Sequence, residues 1–358
     1  MSLLLDAYLT FVTFVFLCLL AMDINGTLRK PDDTQTRSKT YRPRVLVMVP
    51  CKGEEKRLRQ NLESLKAQAY GRYSVVAIVD AKTDGAVAAI RQSGVSMMVA
   101  SGPRGAGSGK VRALLHAMKR LRGFEVYVVA DSDVNFSREW LGRLIAPLSN
   151  KRVGISTSYP FFEPKAGFWS RVKMVWGFVG NSLMESSLTR FGWGGSLAFR
   201  KALMDRRAME RMSRSVSDDI SVTNTCKMKG LKIAYVPEAR MRIACDDTLL
   251  VFAEWANRQT SLSVLGNRRV LYYGITYYSA EILVLLTGII GTLLLSPLFL
   301  VLLLHAARSV WKTFARAGEV RADTALIALL IPFIYLVNLA AATGTRSITW
   351  RGARYRLR

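Results

Sequence analysis

Three short acidic stretches and one lysine hold the residues able to do chemistry in this chain. Asp131-Ser132-Asp133 closes the apolar run "FEVYVVADSD", and because side chains alternate along an extended segment, both carboxylates lie on one side of it. Oxygen ligands of this kind suit Mg2+ or Mn2+, which take one or two carboxylates together with substrate phosphates. Asp80 ends a second apolar run, "YSVVAIVD", where it serves either a ligand or the cap of the helix that follows. Asp218 and Asp219 come directly after Ser217, a helix N-cap residue, and as first-turn acids they also suit the helix dipole. Lys110 stands in "GPRGAGSGKVRALL", residues 102 to 115, which at a glance looks like a triphosphate-cradling loop. That loop needs glycine where Arg104 stands and a hydroxyl where Val111 stands, so NTPase chemistry is set aside. A Gly-rich turn opening a helix still holds an anion through its free N–H groups. With only His116 and His305, and with Cys18, Cys51, Cys226 and Cys245 lacking C-x-x-C spacing, little room is left for zinc or Ser-His-Asp chemistry. Carboxylates, lysine and arginine remain.

The elements that must position these residues follow from hydrophobic periodicity. Apolar, β-branched runs at 44–50, 73–80, 95–100 and 124–131 alternate with helical patterns at 54–68, 85–93, 109–122 and 137–148. This predicts an α/β fold around a mostly parallel sheet buried on both faces. Ligands of such sheets bind beyond the carboxyl ends of the strands. Those ends carry Pro50-Cys51-Lys52-Gly53-Glu54, Asp80 and Asp131-Ser132-Asp133. The stretch "FGWGGSLAFRK", with Gly194 and Gly195, predicts a turn and strand whose backbone approaches a ligand closely. Residues 164–189 predict a helix with Phe168, Val172, Val175, Val179 and Leu183 on one face, a core stripe. Trp169 and Trp176, with Arg171 and Lys173 between them, keep a membrane-surface role open for it.

Charge and hydropathy point to a membrane. The chain has 358 residues, half of them hydrophobic, and a formal net charge of +25. Residues 282–304 and 324–345 are apolar and long enough to cross a hydrocarbon core of roughly 30 Å, and a third apolar stretch lies at 7–22. Arg29, Lys30, Arg37, Lys39, Arg42 and Arg44 follow the first stretch and none precedes it, which predicts an anchor with the bulk of the chain cytoplasmic. Three spans would return the tail, with Arg346, Arg351, Arg354, Arg356 and Arg358, to that side, but would leave Arg308, Lys312, Arg316 and Arg321 outside. A re-entrant hairpin over 277–304 would put that loop inside and the tail outside. The expected organisation is an anchor at 1–24, a basic linker at 25–43, an α/β unit at 44–265 and a membrane region at 266–358. Anionic lipid headgroups account for the basic charge without nucleic acid.

The order "VLVMVPCKGEE", "VVAIVD", Gly-rich turn with Lys110, "YVVADSDV", "WGGSLAFRK", "SDDISVTNTCKMKGLKIAYVPEA" and "EWANRQ" resembles glycosyltransferase family 2, inverting enzymes of GT-A fold, over about residues 43–265. The flanking apolar spans and the "DSDV" form look closest to ceramide glucosyltransferase-like members. The resemblance implies a Rossmann-like GT-A unit, a UDP- or GDP-sugar donor and a lipid hydroxyl acceptor at the cytoplasmic face of a plasma or inner membrane. Polyprenyl-phosphate glycosylation and polysaccharide synthesis are its other members' reactions, and a non-catalytic basic membrane scaffold is the reading from outside the class. Carried onto this sequence, Pro50, Glu54, Asp80, Lys110 and Asp131 would hold the donor, and Asp131 and Asp133 the Mg2+ or Mn2+. Asp219 would be the general base, with Asp218 beside it; Arg258 would assist the leaving group, and Gly194, Gly195 and Trp255 would lie on the acceptor side. The family's Gln-x-x-Arg-Trp is here Trp255-Ala256-Asn257-Arg258-Gln259, which keeps the arginine alone and argues against processive synthesis. The asparagine common before the lysine in the ceramide group is absent, so ceramide itself is not implied.

Overall fold

A computed structural model describes residues 3–28, 41–101, 107–350 and 353–356. The glycines at 102–106 and most of the basic linker lie outside the described residues.

The strands are β1 (Val45–Pro50), β2 (Tyr73–Val79), β3 (Ser96–Val99), β4 (Val126–Ala130), β5 (Val153–Thr157), β6 (Phe161–Pro164), β7 (Ser196–Arg200), β8 (Lys232–Tyr235), β9 (Arg242–Cys245), β10 (Ser347–Trp350) and β11 (Ala353–Arg356). The helices are α1 (Leu3–Leu28), α2 (Leu58–Lys66), α3 (Val87–Ser93), α4 (Gly109–Arg120), α5 (Trp140–Ile145), α6 (Phe168–Glu185), α7 (Arg206–Ser213), α8 (Asp218–Met228), α9 (Leu249–Gly266), α10 (Arg269–Leu294), α11 (Leu304–Ala317) and α12 (Ala322–Gly344). Seven strands form one sheet in the order β3-β2-β1-β4-β7-β5-β8. Only β7 runs against its neighbours, β4 and β5. The mostly parallel sheet read from the uninterrupted apolar runs is therefore the sheet observed.

Strand periodicity splits the core into two layers. Val45, Val47 and Val49 of β1 face one side with Leu58, Leu62, Ile90 and Trp140, while Leu46 and Met48 face the other with Leu114, Phe199 and Met212. All five β1 residues are at most 1% exposed. Each such side chain contributes about 1.5–3 kcal/mol on burial, so β1 cannot slip by one residue without exposing both sets. Helices start where the sequence supplies caps. Ser108 accepts from Val111 N–H, Asp205 from Ala208 N–H, Ser217 from Ile220 N–H and Thr248 from Val251 N–H.

Among the described residues four helical stretches are long and apolar enough to cross a membrane: Leu3–Ile24, Arg269–Leu294, Pro297–Ala317 and Ala322–Gly344. The expected span at 280–304 is broken: α10 ends at Leu294, Ser296 is extended, and Pro297–Leu303 forms a 3-10 segment. Proline cannot donate to the preceding turn, and the chain reverses there. The return packs tightly on α10, where a Cβ on Gly288 would stand 2.5 Å from Leu303 Cδ2 and one on Gly291 would strike the Phe299 ring. The basic loop that follows sits on the α/β unit. Arg316 of α11 reaches both carboxylate oxygens of Glu185 on α6 at 3.0 Å, and Arg171 of α6 reaches Glu319 at 3.0 Å and Asp323 at 3.2 Å. Ion pairs do not form across a bilayer, so this loop and the α/β unit share one side. The tail is on that side too, since Tyr355 touches Gly109. Both layouts drawn from the sequence put one of these two segments outside, whereas the contacts bring both segments against the α/β unit.

Candidate active site

The acids meet at the carboxyl edge of the sheet, as the strand ends predict. Lys110, in the first turn of α4, is their centre: its Nζ donates to Asp131 Oδ1 at 2.7 Å and lies 3.3 Å from Asp218 Oδ1. It also donates to Gly194 O at 3.3 Å. The lysine side chain is 10% exposed and that of Asp218 is 5% exposed, so both charges sit in a low-dielectric pocket. Burial works against the lysine's charge, but Asp131, Asp218 and Asp219 together raise its pKa and keep it protonated. Burial pushes the Asp218 carboxyl up to about 7, against the pull of Lys110 and with the charges of Asp219 and Asp131 adding to the rise.

The two adjacent acids of α8 differ in surroundings. Asp218 is 4% exposed and its Oδ2 has no hydrogen-bond partner. Asp219 is half-buried; its Oδ1 accepts from Ser217 Oγ and from Ile220 N–H at 2.8 Å, and its Oδ2 accepts from Gly194 N–H at 3.3 Å. Glycine at position 194 leaves Lys110 and Asp218 in place, because a Cβ there would stand 2.9 Å from Lys110 Nζ and 3.0 Å from Asp218 Oδ2 and push them aside. Next to it, Gly195 O accepts from Asp131 N–H at 3.4 Å. The glycine turn is thus the floor joining the Asp131 strand end to α8, rather than only an acceptor wall.

At the neighbouring strand end, Asp80 pairs with Arg112 of α4 at 2.5 Å. Pro50 ends β1, and exposed Glu54 lies in the loop after it, which is tied to the loop after β2 by Gly53 N–H donating to Asp84 at 2.8 Å. Asp133 is exposed and close enough to raise the pKa of the Cys245 thiol, though burial is the larger cause. Among the described residues no group of three or more His, Cys, Asp or Glu side chains converges as a complete metal cage. The set fits a hard divalent cation that takes one or two carboxylates and completes its shell with phosphate oxygens. The orphaned Asp218 oxygen shows that the site holds more acceptor capacity than its own cations satisfy.

A line of aromatic rings leads away from Gly194. Trp193 lies 6.1 Å from Tyr159, Tyr159 6.3 Å from Phe162, and Phe162 5.0 Å from Trp255 of α9. Trp255 is 4.9 Å from Trp176 of α6, which stacks at 4.8 Å on Tyr335 of α12, itself 4.9 Å from Tyr278 of α10. Lys173 lies 4.7 Å above the Trp255 ring and pairs with buried Asp247 at 2.9 Å. Arg258 is half-buried one turn after Trp255 on α9. Sequence reasoning missed Arg112, Ser217 as a partner of Asp219, Lys173–Asp247 and Tyr355. Only Ser217 carried a local signal, its capping position.

The family model described as Glycosyl transferase family 21 matches residues 8–358. Family 2, which the motifs resemble, is not the family matched. No curated protein matches the sequence. Among solved structures, a mannosyltransferase from Pyrobaculum calidifontis in complex with GDP-Man and Mn2+ aligns with a TM-score of 0.58 and 19% identity, covering 92% of this chain and 99% of that one. Glucosyl-3-phosphoglycerate synthase from Mycobacterium tuberculosis in complex with phosphoglyceric acid aligns with a TM-score of 0.40 and 17% identity, over 62% of this chain and 76% of that one. At these identities the first likeness establishes the GT-A-like fold.

Proposed function

The chain belongs to glycosyl transferase family 21, and from that premise we propose that it moves a sugar from a UDP- or GDP-sugar to a lipid hydroxyl at the cytoplasmic face of a membrane, inverting the anomeric centre. The observation that carries this reading is Lys110 held between Asp131 and Asp218, beside Asp219, at the ligand edge of the sheet. The mannosyltransferase of the same fold, solved with GDP-Man and Mn2+, supports the donor class and the metal.

In this reading Pro50, Glu54 and Asp80 hold the nucleoside, and Asp131 and Asp133 hold Mg2+ or Mn2+. Bound there, the ion supplies positive charge for the departing diphosphate. Lys110 keeps Asp131 oriented and adds its own fixed charge at a site sheltered from water, where such charge acts most strongly. Arg258 assists the leaving group if α9 presents it to the diphosphate. Asp219 takes the proton of the acceptor hydroxyl. Its three hydrogen bonds hold the carboxylate in one orientation, and it is the less buried of the pair. Asp218 has its charge committed to Lys110 and serves to position it.

The lipid acceptor is argued from the ring series. It joins the acid cluster, through Trp255, to apolar helices α10 and α12. A water-soluble acceptor has no need of such a connection.

The test is nucleoside diphosphate release by detergent-purified protein with Mn2+, across UDP- and GDP-sugars, with and without a total lipid extract. Lipid-dependent release that EDTA abolishes and that Asp219→Asn lowers by at least about 10²-fold is expected. Full turnover by Asp219→Asn removes the assigned base, and release indifferent to lipid removes the acceptor class.

A further inference from the structure

We infer that the C-terminal hairpin of β10 and β11 is the outer wall of the donor site and that Tyr355 is a donor-positioning residue acting on the nucleoside diphosphate. This rests on the donor reading above and names a part of that site supplied from far along the chain.

The hairpin starts from a fixed point. Near the end of α12, Asn338 accepts from Trp176 Nε1 at 3.0 Å and donates to Asn257 at 2.7 Å, so the helix is pinned to α6 and α9 shortly before Gly344. Among the described residues the two short strands pair only with each other. An isolated two-stranded hairpin is marginal in water and needs a surface to pack on. Its register shows which face packs: Ile348 pairs with Tyr355, so the two share a face. Ile348 is 6% exposed and Tyr355 half-buried, while Arg354 and Arg356, on the opposite face, are exposed.

The packed face meets the sheet edge where the donor is assigned. Gly109 N–H, the first of α4, points to Tyr355 Oη at 3.5 Å. A Cβ on Gly109 would stand 3.7 Å from Asp80 Oδ2 and 3.9 Å from Tyr355 Oη. A helix-start amide, a phenol and the Asp80 carboxylate therefore converge on one point. The Gly109 bond is at the long limit for an N–H donor, so neither group is committed to the other. Both can turn to a phosphate or ribose oxygen, which the helix start favours by its dipole. Between 346 and 358 the tail carries five arginines and no acid. Of these, Arg354 and Arg356 stand exposed on the hairpin, where positive charge favours a diphosphate.

The measurement is the affinity of wild type, Tyr355→Phe, Tyr355→Ala and a chain ended after Thr345 for UDP and GDP with Mn2+, by titration calorimetry. Donor KM and kcat, and thermal stability, are measured alongside. Loss of one hydrogen bond to a charged group predicts about tenfold weaker binding and higher donor KM for Tyr355→Ala, with kcat changed less and Tm unchanged. Tyr355→Phe, which loses the same hydroxyl, should weaken binding to about the same extent, and the shortened chain should bind at least as poorly as Tyr355→Ala. Binding by Tyr355→Ala within twofold of wild type, with the same KM, overturns this inference alone. Wild type that binds neither nucleotide overturns the donor reading and this inference with it.

Discussion

Replacing Lys110 by methionine keeps most of the unbranched apolar stem and removes the charge that two acids share. Asp218, 4% exposed, loses its ion-pair partner, and Asp131 loses a 2.7 Å bond but keeps access to water. Breaking a buried pair from one side costs about 3 kcal/mol. The pH dependence is the sharper consequence. In the wild type the Asp218 carboxyl ionises at about 7 when folded, whereas an unfolded aspartate ionises at about 3.9. Between those values the folded chain keeps a proton that the unfolded chain has released, so stability falls as pH rises and levels off above the folded value. Lys110 itself stays charged throughout this window and adds no slope. Without it, the strongest influence holding the Asp218 pKa down is gone, and the decline continues past pH 8. The deficit of Lys110→Met should therefore widen by on the order of 1 kcal/mol between pH 6 and pH 8. In detergent this is a Tm deficit of roughly 4 °C at pH 6 and one or two degrees more at pH 8. Lys110→Met/Asp218→Asn removes the titrating group, and its deficit should not widen. Equal deficits at the two pH values in the single variant, or a double variant with the same slope as the single, would refute the reasoning.

Gly194→Ala drives a methyl group to 2.9 Å from Lys110 Nζ and 3.0 Å from Asp218, so turnover should drop about 10²-fold from displaced groups while secondary structure by circular dichroism is kept. Val320→Cys lies in the exposed connection between α11 and α12, and a membrane-impermeant maleimide should label it from the same side of sealed vesicles as Ser213→Cys; labelling from opposite sides would contradict the Arg316–Glu185 pair. Burial pushes Cys226 up to about 11 and Cys245 up to about 12, so at pH 8 both should resist maleimide in the native protein and react after unfolding, read by intact mass.

What the sequence made legible is what depends on local pattern. The β1 run reads as a two-face buried strand because every residue of it is apolar, and it pairs with β2 and β4 as such. Asp80 and Asp131 stand at strand ends, which in a parallel sheet puts them on one edge whatever the register. Ser217 and Gly230 bracket α8 because capping is local. The unequal fates of Asp218 and Asp219 were not legible. Both are first-turn acids, and which one turns inward depends on how α8 meets the Gly194 turn. Arg112 was missed for the same reason, since its pairing with Asp80 exists only once α4 is laid against the end of β2. The α10 reversal was hidden by composition: 282–304 carries no charge, and hydropathy does not distinguish one span from a helix that doubles back at Ser296-Pro297.

The ring series explains why a soluble-looking chemistry is tied to so much apolar helix. Trp176, Tyr278 and Tyr335 are each at most 8% exposed and stack or meet edge-on, so that end of the series is packed core and admits no chain of lipid between the rings. Trp255 is only half-buried, with Lys173 over its face and the Lys173–Asp247 pair beside it. On the proposed reading a lipid acceptor would run along the outside of the series, with its apolar part against α10 and α12. Cation–π contact with Lys173 helps hold the Trp255 ring in place. Trp255→Ala removes the ring that links Phe162 to Trp176 and so breaks the series in its middle. Acceptor KM should rise while nucleoside diphosphate affinity stays at the wild-type value, because the ring packs on Phe162, Trp176 and Lys173. A change in donor affinity of the same size would mean that Trp255 holds up the whole site instead of guiding one substrate.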